Sequence, residues 1–386
     1  VILLLAELVE RGLFWLSVGV VCYAYIGYPI VIFSLSRLMG KSSFAPESTA
    51  VQTPRVALLI AAHNEEAVIE QRIQNALQLQ YQRDRLEIVI ASDGSDDKTV
   101  EICTRYRSQI RLLDFPVRAG KAGAINKAAA TIDADIIIFS DANTFMDVRA
   151  IENLARWFID PQVGAVCGRL ILTDAQTGCN VDSAYWRYET FLKGCEARLG
   201  GLLGANGAIY AIRRSDFVPL PPGTLVDDLV APLLMKIRSR CRIIYDIDAK
   251  AFEESAPDLY GEYRRRTRIG TGGFQSLTVL WPLLLPQFGW TAFSFWSHKV
   301  LRWFCPFCMI AAMLSCCLLL QYPLYRGALL AQLLFYAVCG IGAIRGAGKS
   351  LRICTMFACM NLALLMGFIR WLSQRQSGMW LRTQRA

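Results

Sequence analysis

The 386-residue chain holds only two histidines, His63 and His298, and no acidic residue beyond Glu262. So few imidazoles exclude a histidine-rich zinc centre. Charged residues make up 19% of the chain and hydrophobic ones 54%, a balance that excludes a disordered polypeptide and is too apolar for an ordinary cytosolic enzyme. No G-x-G-x-x-G follows the first apolar run of the central region, which excludes a nicotinamide-binding unit. Gly120-Lys121-Ala122 lacks the leading glycine and the Ser or Thr of a phosphate-cradling P-loop. The acids that are present all lie in the first 262 residues, 32 of them against 27 basic residues, so the formal charge of +9 comes from the remainder. A basic tail points to nucleic acid or membrane; the apolar runs within it decide for membrane and against nucleic acid.

Four runs are long enough for the roughly 20 apolar residues that cross a bilayer. They are Leu13–Leu38, about Val300–Tyr322, about Gly327–Ile344 and about Leu351–Leu372. The first is too long for a removable signal peptide and has no evident cleavage site. Trp281–Trp296 is apolar too, but Pro282 and Pro286 interrupt it and three tryptophans dot it, which predicts a segment lying in the interface. Arg37 and Lys41 follow the first span, and Arg264, Arg265, Arg266, Arg268, Lys299 and Arg302 precede the second. Basic flanks on both sides place the region between them in the cytoplasm. Arg345, Lys349 and Arg352 agree, whereas three spans after a cytoplasmic domain would put Arg375, Arg382 and Arg385 outside. Either one run does not cross or Trp281–Trp296 does. The expected organisation is a membrane helix and flank (1–50), a cytoplasmic catalytic domain (51–275), an interfacial segment (276–299) and a C-terminal membrane region (300–386). Of 13 cysteines, eight fall in apolar runs and five in the cytoplasmic part, where thiols stay reduced. Cys305-Pro-Phe-Cys308 has redox spacing but opens a membrane run, and buried small hydrophobes are the better reading.

Between Val51 and Gln275 short aliphatic runs alternate with amphipathic ones. Val56–Ala61, Leu86–Ala91, Ile110–Leu113 and Asp135–Ser140 read as buried strands. Asn64 is placed to cap a helix bearing Val68, Ile69, Ile73, Ala76 and Leu77 on one face, Asp96 to cap the next, and Gly120 to open an alanine-rich third. The alternation predicts an α/β fold with an open, mostly parallel sheet, whose ligands bind at the carboxyl ends of the strands. There the sequence puts His63-Asn64-Glu65, then Asp93-Gly94-Ser95-Asp96-Asp97, then Asp141-Ala142-Asn143. Each is also ordinary turn chemistry. Three at neighbouring strand ends crowd oxygen acceptors into one crevice, and Asp141 with Asn143 are donors of the kind Mg²⁺ or Mn²⁺ accept beside a diphosphate.

In order, Asn64-Glu65, Asp93-Gly94-Ser95-x-Asp97-x-Thr99, Gly120-Lys121-Ala122-Gly123-Ala124-Ile125-Asn126 and Asp141-Ala142-Asn143 resemble glycosyltransferase family 2, in its membrane-embedded branch with cellulose and hyaluronan synthases. Gly204-Ala205-Asn206-Gly207-Ala208, Val226-Asp227-Asp228 and Arg265-Arg266-Thr267-Arg268-Ile269 fall where that branch keeps its acceptor-side motifs. The resemblance implies a GT-A fold with membrane helices on either side and inverting transfer of a sugar from a nucleoside diphosphate, with UDP the expected carrier. By it, Asn64, Glu65, Asp93, Lys121, Asp141 and Arg268 serve the donor, Asp93 at the base or ribose and Arg268 at the diphosphate. Asp141 and Asn143 hold the metal; Asn206, Asp227 and Arg265 lie on the acceptor side; Asp228 is the catalytic base. Two departures stand out. Asn143 replaces a second carboxylate, and Ile269 and Arg265 replace the tryptophan and glutamine of the processive synthases, which favours transfer of few sugars over sustained extension.

The chemistry needs these residue types. Breaking a sugar–phosphate bond builds negative charge on the departing diphosphate, to be met by a cation and fixed positive groups. The attacking hydroxyl needs a carboxylate within about 3 Å. The plainer readings are a helix start for Asp227-Asp228, a solvated lysine for Lys121 and a lipid-surface anchor for Arg264–Arg268. The expected partners are a nucleotide-sugar donor, a lipid-linked or polysaccharide acceptor, the inner membrane and other proteins of polysaccharide synthesis. The alternatives are a polyprenyl-phosphate sugar transferase or an inactive nucleotide-binding scaffold.

Overall fold

The computed structural model describes residues 2–41, 53–173, 184–254, 259–345 and 349–374. These fall into two compact units. One comprises Val1–Ser34, Asp258–Phe274 and Phe295–Arg375; the other includes Leu35–Pro257 and Gln275–Ser294.

The second unit is built on one eight-stranded sheet. Its strands are β1 (Val56–Ala62), β2 (Leu86–Asp93), β3 (Arg111–Phe115), β4 (Ile136–Asp141), β5 (Phe145–Met146), β6 (Val163–Thr173), β7 (Tyr210–Arg213) and β8 (Arg242–Glu254). The order is β3-β2-β1-β4-β7-β6-β8-β5. β1 to β4 are parallel, and β1 is buried along its whole length, as expected of an uninterrupted aliphatic run covered on both faces. β7 runs antiparallel to β4 and β6, while β6 and β8 are parallel. Around the sheet are α1 (Ile69–Leu77), α2 (Thr99–Arg105), α3 (Gly120–Thr131), α4 (Ala150–Ala155), α5 (Ala184–Leu199) and α6 (Asp227–Ser239). Ile69, Ile73 and Ala76 of α1 pack with Leu58, Ile60, Ile90 and Ile138 in the core.

Register brings the polar strand ends together. Ala61 of β1 lies level with Ala91 of β2 and with Asp141 at the end of β4. β7, being antiparallel, begins where β4 ends: Tyr210 pairs with Phe139, their rings stacked 4.7 Å apart. Residues 206–209 therefore arrive at the same carboxyl edge as Asp141. Two expected helix caps are corrected. α1 begins only at Ile69, because Asn64 adopts a left-handed φ of 55° and binds the next loop instead, its Oδ1 accepting from the Asp96 amide at 2.9 Å. Lys98, not Asp96, holds the N-cap position of α2, and it is Asp97 that accepts the Thr99 amide at 2.9 Å.

Among the described residues four helical runs are long and apolar enough to cross a membrane: Leu5–Leu38, Trp290–Leu318, Pro323–Arg345 and Leu351–Leu372; residues 35–38 and 290–294 fall in the sheet-bearing unit and the rest in the other. The first contains a π-helical turn at Tyr23–Gly27 and the second another at Phe295–Val300, joined by a 3.0 Å hydrogen bond between the Tyr23 and Ser297 hydroxyls. Glu7, nearer the N-terminus than the expected span, accepts from the Tyr322 hydroxyl at 2.8 Å and lies 3.7 Å from Arg11. The second run starts ahead of the expected Val300. Pro282 and Pro286 confine residues 281–288 to short 3₁₀ turns, and no proline follows until Pro306, so helix forms from Trp290 onward. Arg375, Arg382 and Arg385 lie outside the described residues.

Candidate active site

The site begins at the start of α3. Gly120 has φ +77°, a left-handed conformation that lets the chain turn sharply into the helix. Both carboxylate oxygens of the buried Asp93, at the end of β2, accept from this turn: Oδ1 from the Ala119 amide at 2.7 Å and Oδ2 from the Gly120 amide at 2.8 Å. The next residue, Lys121, points across the strand ends. Its Nζ lies 2.8 Å from Asp141 Oδ1 and 3.1 Å from Asp227 Oδ2.

Asp227 and Asp228 open α6. The Asp227 side chain is 7% exposed, and the Tyr210 hydroxyl lies within 3.5 Å of its Oδ2. Burial, with Asp228 and Asp141 nearby, raises the Asp227 carboxyl above the ordinary range although Lys121 opposes the shift. Burial by itself would lower the Lys121 ammonium, but Asp141 and Asp227 outweigh it and raise it, so the lysine stays charged. Asp228 is half-buried; its Oδ2 accepts the Gly207 amide at 3.2 Å and its Oδ1 the Leu229 amide at 3.1 Å.

Gly207 marks the open space between two carboxylates. A Cβ there would stand 3.6 Å from Asp228 Oδ2 and 3.7 Å from Asp141 Oδ2. Asp141, Asp227, Asp228 and Lys121 thus form one cluster, with Asp93 joined to it through Gly120. Asn206 sits beside Gly207, donating to the Gly168 carbonyl at 2.7 Å and accepting from Lys193 of α5. Asn143 follows Asp141 in the turn before β5. Asn64 and Glu65 lie in the loop after β1, where the Glu65 amide donates to Thr99 Oγ1 at 2.8 Å. Arg265 and Arg268 lie on helix Leu259–Leu280 within the other unit, and Arg265 pairs with Glu262 at 3.4 Å.

Several residues escape the sequence reading. Lys193 bonds the Ala205 carbonyl at 3.3 Å as well as Asn206. Gln275 ties down the approach to Asp227, accepting the Leu225 amide at 3.1 Å and donating to the Gly223 carbonyl at 3.0 Å. Arg72 of α1 is wholly buried beside Ser140. Phase alone marks it, since 69, 72, 73 and 76 share a helix face.

Among the described residues no three His, Cys, Asp or Glu side chains gather as a metal cage. Asp141 Oδ2 faces the space at Gly207, however, and one or two protein ligands completed by phosphate oxygens and water is the usual way Mg²⁺ is held. The residues fit a cation carried by a diphosphate.

The carboxylate cluster lies at the carboxyl edge of an open sheet. Residues 57–217 match the model of glycosyl transferase family 2. It is 26% identical over 294 residues to beta-monoglucosyldiacylglycerol synthase of Synechocystis, covering 72% of this chain and 60% of that protein. It is also 26% identical over 282 residues to poly-beta-1,6-N-acetyl-D-glucosamine synthase of Staphylococcus aureus, covering 66% of each. The chain thus spans less than two thirds of these relatives' length. Its fold is similar to that of a mannosyltransferase from Pyrobaculum calidifontis, solved with GDP-Man and Mn²⁺. That likeness has a TM-score of 0.70 at 21% identity, covering 94% of this chain and 100% of that one.

Proposed function

We propose that this chain is an inverting, divalent-metal-dependent glycosyltransferase that moves a sugar from a UDP-linked donor to a lipid-linked or growing glycan acceptor. It works at the cytoplasmic face of the inner membrane as a multi-pass protein. The observation that carries the reading is the cluster of Asp141, Asp227 and Asp228 around Lys121 at one sheet edge. The names of the relatives support the acceptor classes, one a glycolipid and the other a polysaccharide.

In this reading Asp141 and Asn143 hold the cation that accompanies the donor. Bound there, a divalent ion supplies positive charge to the departing diphosphate. Lys121, kept charged by its two carboxylate neighbours, is the fixed positive group of the chain at the same place. Asp93 serves the donor indirectly, by fixing the turn from which Lys121 projects. Asn64 and Glu65 complete the rim of the crevice after β1. Asp228 takes the proton of the attacking acceptor hydroxyl; its two backbone hydrogen bonds aim the carboxylate without neutralising it. Asp227 is the poorer base, because Lys121 occupies its Oδ2 and it lies buried. Arg265 and Arg268 serve acceptor and diphosphate as the family pattern implies. With Ile269 in place of an aromatic platform, the product is short.

The test is a donor screen on the full chain in detergent, measuring released nucleoside diphosphate with and without Mn²⁺. Mn²⁺-dependent release from one nucleotide sugar is expected. No release from any donor, with and without lipid and glycan acceptors, refutes the proposal.

A further inference from the structure

Arg72 takes no part in the chemistry above, yet among the described residues it is the bulkiest side chain buried completely. Its neighbours on the inner face of α1, Ile69, Ile73 and Ala76, are apolar. Among the described residues its guanidinium meets no carboxylate: Nη1 donates to Asn75 Oδ1 at 2.9 Å, Nη2 to Ser140 Oγ at 3.1 Å, and Nε has no hydrogen-bond partner. A buried cation bonded only to neutral groups is costly, and packing alone would be served better by an apolar residue. Burial lowers this guanidinium to about 9, while Asp141 is the charge that favours its protonated form, so it stays cationic at neutral pH.

The hydrogen bonds around it explain its place. Ser140 immediately precedes Asp141, and its hydroxyl donates to the Ala208 carbonyl at 3.0 Å, one residue past Gly207. Asn75 accepts the Met146 amide at 2.9 Å and donates to the Met146 carbonyl at 3.0 Å. Arg72 and Asn75, bonded to each other, therefore grip the chain just before and just after the turn 141–145. Through Ser140 the grip extends to the segment that sets Gly207 against Asp228. In front of the turn, Lys121 pairs with Asp141 and Asp227, and Asp228 lies across the space at Gly207. A diphosphate adds further negative charge, and Arg72 is a second positive charge fixed behind the turn.

We propose that Arg72 is a positioning residue for donor binding, its charge and its hold on Ser140 and Asn75 keeping the Asp141 turn ready for a metal-bound diphosphate. This rests on the glycosyltransferase reading. The test uses the full chain in detergent with Mn²⁺ and UDP or GDP, whichever the wild type binds. Mn²⁺ binding is followed by electron paramagnetic resonance, alongside donor KM, kcat and thermal melting. Arg72→Met is expected to weaken nucleotide-dependent Mn²⁺ binding about tenfold and to raise donor KM to match, with kcat at saturating donor changed less than about threefold. Arg72→Lys, which keeps the charge, is expected to recover most of that binding. Unchanged Mn²⁺ binding and KM in Arg72→Met, with or without a lower melting temperature, overturns the proposal, as does a lysine variant no better than the methionine one. Should Arg72→Met fail to fold, Ser140→Ala decides: a donor KM raised more than about threefold supports the role, an unchanged KM refutes it. A wild type that binds neither nucleotide instead overturns the underlying reading, a result none of the variant outcomes produces.

Discussion

Replacing Asp228 by asparagine isolates proton transfer from everything else the site does. The side chain is half-buried, and the amide oxygen that replaces one carboxylate oxygen still accepts the Gly207 amide, at 3.2 Å in the wild type. The substitution is isosteric, but the new NH2 faces the Leu229 amide that Oδ1 accepted, so losing that one hydrogen bond should cost about 0.5–1.5 kcal/mol. Lys121 makes its close ion pairs with Asp141 and Asp227, not with Asp228, so the donor side keeps its charges. What is lost is a base, worth about 10²- to 10⁴-fold in rate. At 1.36 kcal/mol per decade that is about 3 to 5 kcal/mol of activation free energy. The assay is transfer of radiolabelled sugar by purified protein, with the donor that the wild type turns over, beside nucleotide binding and thermal melting. The expected result is transfer reduced at least about a hundredfold, with nucleotide binding as in the wild type and melting lowered by no more than a few degrees. Transfer within about threefold of the wild type would show that Asp228 is not the base.

Three further outcomes follow from the same geometry. Lys121→Met leaves Asp141 and Asp227 without their shared cation, and donor KM should rise at least about tenfold in steady-state kinetics. Gly207→Ala places a methyl group 3.6–3.7 Å from two carboxylate oxygens, an ordinary contact distance; melting should stay unchanged while transfer falls about tenfold or more. The raised Asp227 carboxyl gives a pH signature. Between its ordinary unfolded value of about 3.9 and its higher folded value, the folded chain binds more protons than the unfolded one, so this group's contribution to stability rises as pH falls. Melting from pH 7 to 4 should therefore show wild type gaining relative to Asp227→Asn, and a gap that is flat or moves the other way would contradict the burial argument.

Much of the sheet was readable because β1, β2 and β4 are unbroken aliphatic runs covered on both faces, each ending in polar residues where the cover stops. The strand β7 was not, because Tyr210–Arg213 is four residues long and its antiparallel insertion beside β4 is a matter of tertiary pairing. That insertion brings Gly207 to Asp141, so the order of motifs along the chain implied a shared site without showing how they meet. Asn64 and Asp96 have cap chemistry but spend it on each other across two loops, a choice that local spacing cannot reveal. Arg72 has the helical phase of a core residue and the chemistry of a surface one; only the structure resolves the conflict.

Asp93 carries a consequence for the thermodynamics of binding. Because its carboxylate closes the Ala119–Gly120 turn with the protein's own amides, that corner is already ordered before any substrate arrives. Ordering a loop on association subtracts directly from affinity. A donor entering here meets Lys121 on a prebuilt ledge, so the entropy lost on capture is that of the ligand itself.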